Sequence, residues 1–203
     1  MKIAIMGSGI EVFCCAHRLL DLESKLEIHI FDEKAEAGMY GEEPGIFQKW
    51  PITPTSWYGK MFSQAPNNKS TAVRYSWFVK SLSIALAKRG ATYHLKTRVT
   101  DISNNEVKYI GAGHLGSGVM KVQQTIDLRE NKLGKKWHGA ISKTRIEGKI
   151  CGIRPDETIE TWSNEEVMGN FIQKMNWYGE DPEKAISNRV LLGIEAAELT
   201  KIL

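Results

Sequence analysis

Long apolar runs, cysteines and an excess of charge of one sign are all scarce in this 203-residue sequence. No run of about 18 uninterrupted apolar residues exists, which argues against a membrane-spanning helix, and the apolar start breaks at glycines before a secretory signal would be complete. The 3 cysteines, two of them adjacent, form neither a disulfide framework nor a CxxC site. These absences predict a protein of a reducing, cytoplasmic compartment that does not enter a membrane.

Charge and composition narrow the class further. The 27 Lys and Arg against 24 Asp and Glu leave a net charge of +3, too small and too dispersed to indicate a nucleic-acid partner. Hydrophobic residues are 42% and charged residues 25%, as in soluble globular chains. The 5 histidines lack the spacing of metal ligands, so no metal site is predicted. We expect one compact domain over residues 1–203.

The first thirty residues have the pattern of a βαβ unit. An apolar strand over Lys2–Met6 leads directly into Gly7-Ser8-Gly9, and apolar residues at spacings of three and four then predict a helix from Ile10 to about Leu22. The segment Leu26–Phe31 alternates as a second strand. Two strands joined in this way lie parallel with a right-handed crossover. The predicted fold class is therefore α/β, with a Rossmann-like parallel sheet and a small β-rich insertion.

The glycine turn and an acid after the second strand carry the chemistry. Glycines between a strand and a helix let a pyrophosphate approach the backbone, and the N–H groups and dipole of the helix attract it. Asp32 follows the second strand, where an acid accepts hydrogen bonds from a ribose 2′-hydroxyl and repels a 2′-phosphate. Val12 replaces the third glycine of GxGxxG, which predicts a wider helix–sheet separation. The alternative is a βαβ unit whose glycine turn binds nothing.

A proline- and glycine-rich stretch, residues 38–75, predicts a long aromatic loop. Its rings either cover a planar ligand or anchor the loop to the core; they are Trp50, Trp57, Tyr58 and Phe62. A helix over Trp77–Arg89 with Gly90 after it, and a short strand over Ala91–Leu95, should follow.

The second half of the chain has two predicted parts. Residues from about 104 to 175 lean towards short strands, including a hairpin of Arg145–Cys151 with Thr158–Trp162, and form a reduced substrate or cover region. A closing helix runs to about Ile202. Asp181-Pro182-Glu183 is a strong helix start, although Asn188 could also cap it. The glycine at 193, inside this helix, suggests that something packs close to the backbone there.

Three segments together resemble a known family. GSGIEVFCCAHRLL followed by IHIFDEKAEAGM is similar to the GxGxxGxxxA and acid-x5-G-G signature of the two-dinucleotide-binding flavoproteins, the group that contains amine oxidases, aromatic hydroxylases and related FAD enzymes. Asp32 stands for the usual glutamate, Gly38 for the first paired glycine, and Met39 replaces the second. SLSIALAKRGATYHLKTRVTDI resembles the middle block of the family, and YGEDPEKAISNRVLLGIEAAELTKIL resembles its closing motif.

The resemblance implies FAD as the cofactor. The ribose would lie at Asp32, the adenine at the backbone of Val99, and the ribityl-phosphate region at Gly179 and Glu180. The full set of implied cofactor-binding residues is Gly7, Ser8, Gly9, Ile10, Glu11, Asp32, Glu33, Lys34, Val99, Gly179 and Glu180. In a flavin enzyme the cofactor performs the electron transfer, so the absence of a catalytic motif is expected.

The implied function is an oxidoreductase that transfers a hydride or electron pair between the flavin and a small organic substrate, with NAD(P)H as a candidate electron donor. No side chain is singled out for catalysis. Five cations could bind an anionic substrate but are more typical of solvated charges: Lys60, Arg74, Arg129, Lys136 and Arg154. Two alternatives stay open: an NAD-dependent reductase that uses only Gly7, Gly9 and Asp32, and a non-enzymatic nucleotide-binding module.

Overall fold

The computed structural model describes residues 1–38, 41–111, 116–129, 134–147 and 149–201. These residues form three α-helices, α1 (Ile10–Leu22), α2 (Tyr75–Lys88) and α3 (Ala185–Glu198). They also form eleven strands: β1 (Lys2–Met6), β2 (Glu27–Phe31), β3 (Thr92–His94), β4 (Thr97–Ser103), β5 (Glu106–Gly111), β6 (Ser117–Lys121), β7 (Gln124–Asp127), β8 (Lys135–Ser142), β9 (Ile150–Ile153), β10 (Ile159–Ser163) and β11 (Gln173–Gly179).

A four-stranded parallel sheet in the order β3-β2-β1-β7 organises the fold. Ile3 and Ile5 of β1 belong to the core on the helical side of this sheet, whereas Ala4 and Met6 belong to the core on its other side. Burial on both faces explains why β1 is continuously apolar rather than alternating. The predicted α/β fold class is confirmed, and so is the parallel pairing of β1 with β2.

Helix α1 packs against both other helices. The bounds predicted for α1 and α2 are within two residues of those observed, and Gly90 has a positive φ of 94° after α2. The predicted start of the last helix was wrong, because Asp181 closes a turn instead: its Oδ1 accepts from the N–H of Glu183, and α3 begins only at Ala185. None of the described helices is both long and apolar enough to cross a bilayer. Met39 and Ile202 lie outside the described residues.

Two antiparallel sheets complete the molecule. The meander β4-β5-β6 covers the second face of the parallel sheet, where Val99 and Val107 join the core formed with Phe31. The other sheet has the order β11-β8-β10-β9, and its β9–β10 hairpin confirms the predicted pairing, although the first strand begins at Ile150 rather than at Arg145. Sequence reasoning missed β8 and β11, and it did not anticipate that β7 leaves the β-rich region to pair with β1.

The aromatic loop anchors itself to the core through three of its four rings. Trp57 is buried, and Trp50 and Tyr58 both pack on Phe78 of α2 at centroid distances of 5.1 and 5.5 Å. Phe62 is 78% exposed. The loop therefore follows the anchoring alternative at Trp50, Trp57 and Tyr58, and two 3-10 turns, Thr55–Trp57 and Phe62–Gln64, are its helical segments within the described residues.

Candidate functional site

A cavity of about 330 Å³ opens at the carboxyl ends of β1 and β2, and we call it the sheet-edge cavity. Ligands of open α/β sheets bind at this edge. Six of the sequence-predicted site residues line it together: Gly7, Ser8, Asp32, Glu33, Lys34 and Val99. The other lining residues are Met6, Phe31, Thr97 and Arg129. Segments that are far apart in the sequence thus meet where the motifs predicted a nucleotide.

Gly7 is required by the turn itself. Its φ of +127° is a conformation that residues with a side chain rarely adopt, and a Cβ there would lie 2.6 Å from the carbonyl oxygen of Leu128. The same Cβ would lie 2.9 Å from Cγ2 of Val12, the residue that replaces the third glycine. The N–H of Gly7 donates to the carbonyl of Phe31 at 3.1 Å. The turn is therefore held tightly against the end of β2 and the residue after β7.

Asp32 is fixed by its neighbours on three sides. Its N–H donates to the carbonyl of His94 at 3.0 Å, its carbonyl accepts from the N–H of Thr97 at 2.9 Å, and its Oδ1 accepts from the N–H of Lys34 at 2.8 Å. The second carboxylate oxygen, Oδ2, is buried and has no hydrogen-bond partner among the described residues. Burial raises the pKa of Asp32, and the hydrogen bonds from the backbone of Lys34 and the side chain of Ser8 oppose that shift.

The buried Oδ2 of Asp32 is a hydrogen-bond acceptor for which the described residues provide no donor. A buried polar atom left without a hydrogen bond costs about 1–3 kcal/mol, and more when it is charged. A ribose hydroxyl supplies such a donor, and Asp32, Thr97 and Val99 stand at one cavity whose volume suits an adenosine. The residues present therefore fit the adenosine half of a dinucleotide.

The start of α1 differs from a simple phosphate site. Ile10 and Glu11 are buried and do not belong to the lining of the sheet-edge cavity among the described residues. The Glu11 carboxylate accepts from Nε of Arg189 at 2.8 Å and from Nη2 at 3.1 Å, while Nη1 of Arg189 donates to Glu43. We call these side chains the Glu11–Arg189–Glu43 cluster. Sequence reasoning missed it because its members come from α1, α3 and the aromatic loop, and no local pattern relates them.

A second cavity, of about 550 Å³, lies between the aromatic loop and β11, and we call it the loop cavity. Its described lining residues are Gly41, Glu42, Glu43, Lys136, Gln173, Lys174, Met175, Asn176, Trp177 and Tyr178. The side chain of Glu42 is 5% exposed and binds Nε of Arg74 at 2.9 Å and Nη2 of Arg154 at 3.5 Å. The loop cavity therefore has carboxylates that are already paired, beside two lysines.

Gly179 and Glu180 lie near the loop cavity in sequence but belong to the lining of neither cavity among the described residues. Gly179 ends β11, and the ring of Trp177 fills the space where its Cβ would be. Glu180 is exposed. Their contact with the ribityl-phosphate region stays a prediction.

The five cationic side chains named in the sequence analysis differ in which cavity or carboxylate they contact. Arg129 lines the sheet-edge cavity and is held by Asp127, and Lys136 lines the loop cavity. Arg74 and Arg154 bind Glu42, and Lys60 is exposed. Within the described ranges, no three or more His, Cys, Asp and Glu side chains are grouped so as to hold a metal ion.

Comparison with known proteins gives matches of structure alone. No family model matches the sequence, and no curated protein matches it. Among solved structures, the anhydrotetracycline hydroxylase OxyS from Streptomyces rimosus superposes with a TM-score of 0.56 at 11% identity, over 88% of this chain and 46% of that one. CabE, an aromatic hydroxylase from angucycline biosynthesis, has a TM-score of 0.55 at 11% identity, over 83% and 45%.

A third match is more complete. A flavoprotein/dehydrogenase from Cytophaga hutchinsonii has a TM-score of 0.56 at 12% identity, over 97% of this chain and 76% of that one. The chain spans less than half the length of the two hydroxylases. Identities this low show a shared fold and leave substrate and reaction open. At the level of the fold, the resemblance predicted from the motifs is confirmed: the chain has the fold of these hydroxylases and of this flavoprotein.

Proposed function

We propose that the protein is an FAD-binding oxidoreductase that acts on a small organic substrate. The observation that carries the proposal is the position of Asp32 in one cavity with the glycine turn and Val99, together with a carboxylate oxygen, Oδ2, that has no hydrogen-bond partner among the described residues. A ribose hydroxyl in the cavity would donate to the carboxylate of Asp32. The shared fold with a flavoprotein and two hydroxylases supports the choice of FAD over other adenosine-containing cofactors.

The residues of this chain would bind and orient the cofactor. Asp32 would accept from the ribose, Val99 would border the adenine, and Gly7 would allow the tight turn that leads from β1 into α1. When bound, FAD supplies the redox chemistry, the exchange of a hydride or electron pair. We propose the loop cavity for the substrate, because its 550 Å³ lies within the usual range of ligand sites and its lysines favour an anionic or polar group.

Thermal unfolding with added ligands tests the cofactor. A ligand that binds only the native state raises the melting temperature, so FAD at saturating concentration should raise it by several degrees and by more than NADH, which shares only the adenosine diphosphate half of FAD. Stabilisation by NADH without FAD would instead support the NAD-dependent reductase that uses Gly7, Gly9 and Asp32. Stabilisation by neither would contradict nucleotide binding at this edge of the sheet.

Turnover tests the enzymatic part of the proposal. FAD-loaded protein should be bleached by NADH or NADPH under anaerobic conditions, or by a small organic reductant from a panel, and should regain its absorbance with an oxidant. A loaded protein that exchanges electrons with no member of such a panel would favour a non-enzymatic nucleotide-binding module. The cytoplasmic location stays a proposal, and it agrees with Cys14, Cys15 and Cys151 all being free thiols.

A further inference from the structure

The space next to Gly9 is filled by the protein's own charged side chains. Gly9 is the N-cap residue of α1, and no side chain caps the helix there. A Cβ on Gly9 would overlap Oε1 of Glu11 and lie 2.6 Å from Nη2 of Arg189. In dinucleotide-binding turns, the second glycine leaves this space free so that the backbone can approach the pyrophosphate. Here an ion pair occupies it.

The net charge of the Glu11–Arg189–Glu43 cluster is unfavourable to a bound anion. Glu11 and Glu43 both bind the single guanidinium of Arg189, so the Glu11–Arg189–Glu43 cluster carries a formal charge of −1. The side chains of all three residues are at most 15% exposed, so water screens them poorly. A diphosphate placed at the start of α1 would meet this net negative charge, and it would compete with Glu11 for Arg189.

We infer that Glu11 is a specificity-determining residue that weakens the contact between this protein and the diphosphate of its nucleotide. The sheet-edge cavity then recognises mainly the adenosine, and the diphosphate adds little to the affinity. The inference rests on the proposed function in one respect, that adenosine nucleotides bind in this cavity. It goes further by assigning to Glu11 an effect opposite to the one expected for a residue of a pyrophosphate-binding turn.

Calorimetric titration with adenosine and with ADP measures the effect, because the two ligands differ only in the diphosphate. The wild-type protein should bind ADP no more tightly than adenosine. Glu11→Gln removes one negative charge with almost no change in shape, and Arg189 keeps its contact with Glu43. It should raise the affinity for ADP relative to adenosine by about ten-fold, the order expected for one charge a few ångströms from an anion.

Glu198→Gln is a matched control. Arg18 and Glu198 also join α1 to α3 with an ion pair, at 2.8 Å, but towards the carboxyl ends of the two helices and on the surface. This variant should leave the ratio of the ADP and adenosine affinities unchanged. An equal rise in both variants, or no rise in a folded Glu11→Gln protein, would overturn the inference.

Salt dependence of the wild-type protein gives a second measurement that needs no variant. If the cluster repels the diphosphate, added salt screens the repulsion only in part, because the cluster is buried, and the affinity for ADP relative to adenosine should stay level or rise between 50 and roughly 300 mM salt. An attractive phosphate site would give the reverse, a relative affinity that falls with salt, and would contradict the inference. Absence of binding by both ligands would overturn the proposed function as well, so the two failures are distinguishable.

Discussion

Gly193 of α3 packs directly on the backbone of Glu11 in α1, where the two helices cross. A Cβ on Gly193 would overlap the carbonyl oxygen of Glu11 and lie 3.0 Å from Cβ of Cys14. Arg189 is one turn earlier on the same face of α3, because residues four apart along a helix lie above one another. The close approach at Gly193 therefore sets the distance at which Arg189 reaches the Glu11 carboxylate.

Gly193→Ala should destabilise the protein. In an exposed helix the substitution stabilises by about 1 kcal/mol, because alanine loses less backbone entropy on folding. Here the added methyl group must push the two helices apart, and overpacking of this kind costs about 1–3 kcal/mol. Urea unfolding measures the difference. Leu192→Ala, at a residue 50% exposed on the same helix, should change stability far less; a more stable Gly193→Ala variant would show that the crossing is looser than described.

Asp32→Asn should weaken adenosine binding by roughly ten- to hundred-fold, since a hydrogen bond to a charged acceptor contributes about 1.5–3 kcal/mol. Ribose donors stabilise the carboxylate, so wild-type affinity should fall as pH falls through the pKa of Asp32, which burial places above the ordinary value. Titration at several pH values tests both effects. Asp101→Asn, on the exposed part of β4, should bind as the wild type does. A pH-independent wild-type affinity would contradict the contact.

Glu160→Gln should destabilise the antiparallel sheet β11-β8-β10-β9 and its contact with the aromatic loop. Glu160 is fully buried and accepts from Trp162 Nε1 at 2.7 Å, from the N–H of Gly45 at 2.8 Å and from Nη2 of Arg154 at 2.7 Å. Removing one partner of a buried ion pair costs about 3–5 kcal/mol, because the other charge stays buried. Chemical unfolding measures the loss. Glu165→Gln, which breaks a surface pair with Lys149, should cost less than about 1 kcal/mol.

His17 should make the stability of the fold depend on pH. Burial lowers its pKa to about 4 from an ordinary value of 6.5, and the neutral ring fits its partners: Nε2 donates to the carbonyl of Leu82, and Nδ1 accepts from Arg89. Between about pH 6.5 and 4 the unfolded chain binds the proton and the folded chain does not. Stability from this group is therefore complete above pH 6.5 and is lost as pH falls towards 4, at about 1.4 kcal/mol per pH unit.

His17→Gln provides the comparison for that pH effect. The variant cannot titrate in this range, so its free energy of unfolding should decline less steeply between pH 6.5 and 4 than that of the wild type. Denaturant unfolding at each pH gives both slopes. Equal slopes would mean that His17 is protonated in the folded protein, in conflict with its position between Leu82 and Arg89.

The sequence predicted the features that depend on residues close together in the chain. The glycine turn, the bounds of α1 and the acid after β2 could all be predicted, because period, turn chemistry and strand ends are local signals. The helix start at Asp181 was predicted wrongly, since the same side-chain acceptor serves a turn equally well.

Long-range contacts were the part that the sequence could not supply. Arg189 and Glu11 are separated by 178 positions, and their pairing depends on how α3 crosses α1. The partnership of β7 with β1 is of the same kind: Gln124–Asp127 leans towards a strand, but nothing local indicates which sheet it joins. Both features depend on packing between elements, which period and propensity do not encode.

We propose that the sheet-edge cavity recognises the adenosine half of FAD through Asp32. Titration of the protein with FAD and with FMN, monitored by the quenching of flavin fluorescence, measures this recognition, because FMN lacks the adenosine. FAD should bind at least ten-fold more tightly than FMN, and Asp32→Asn should remove most of that difference. Equal affinities for FAD and FMN, or an Asp32→Asn protein that keeps the full preference for FAD, would contradict it.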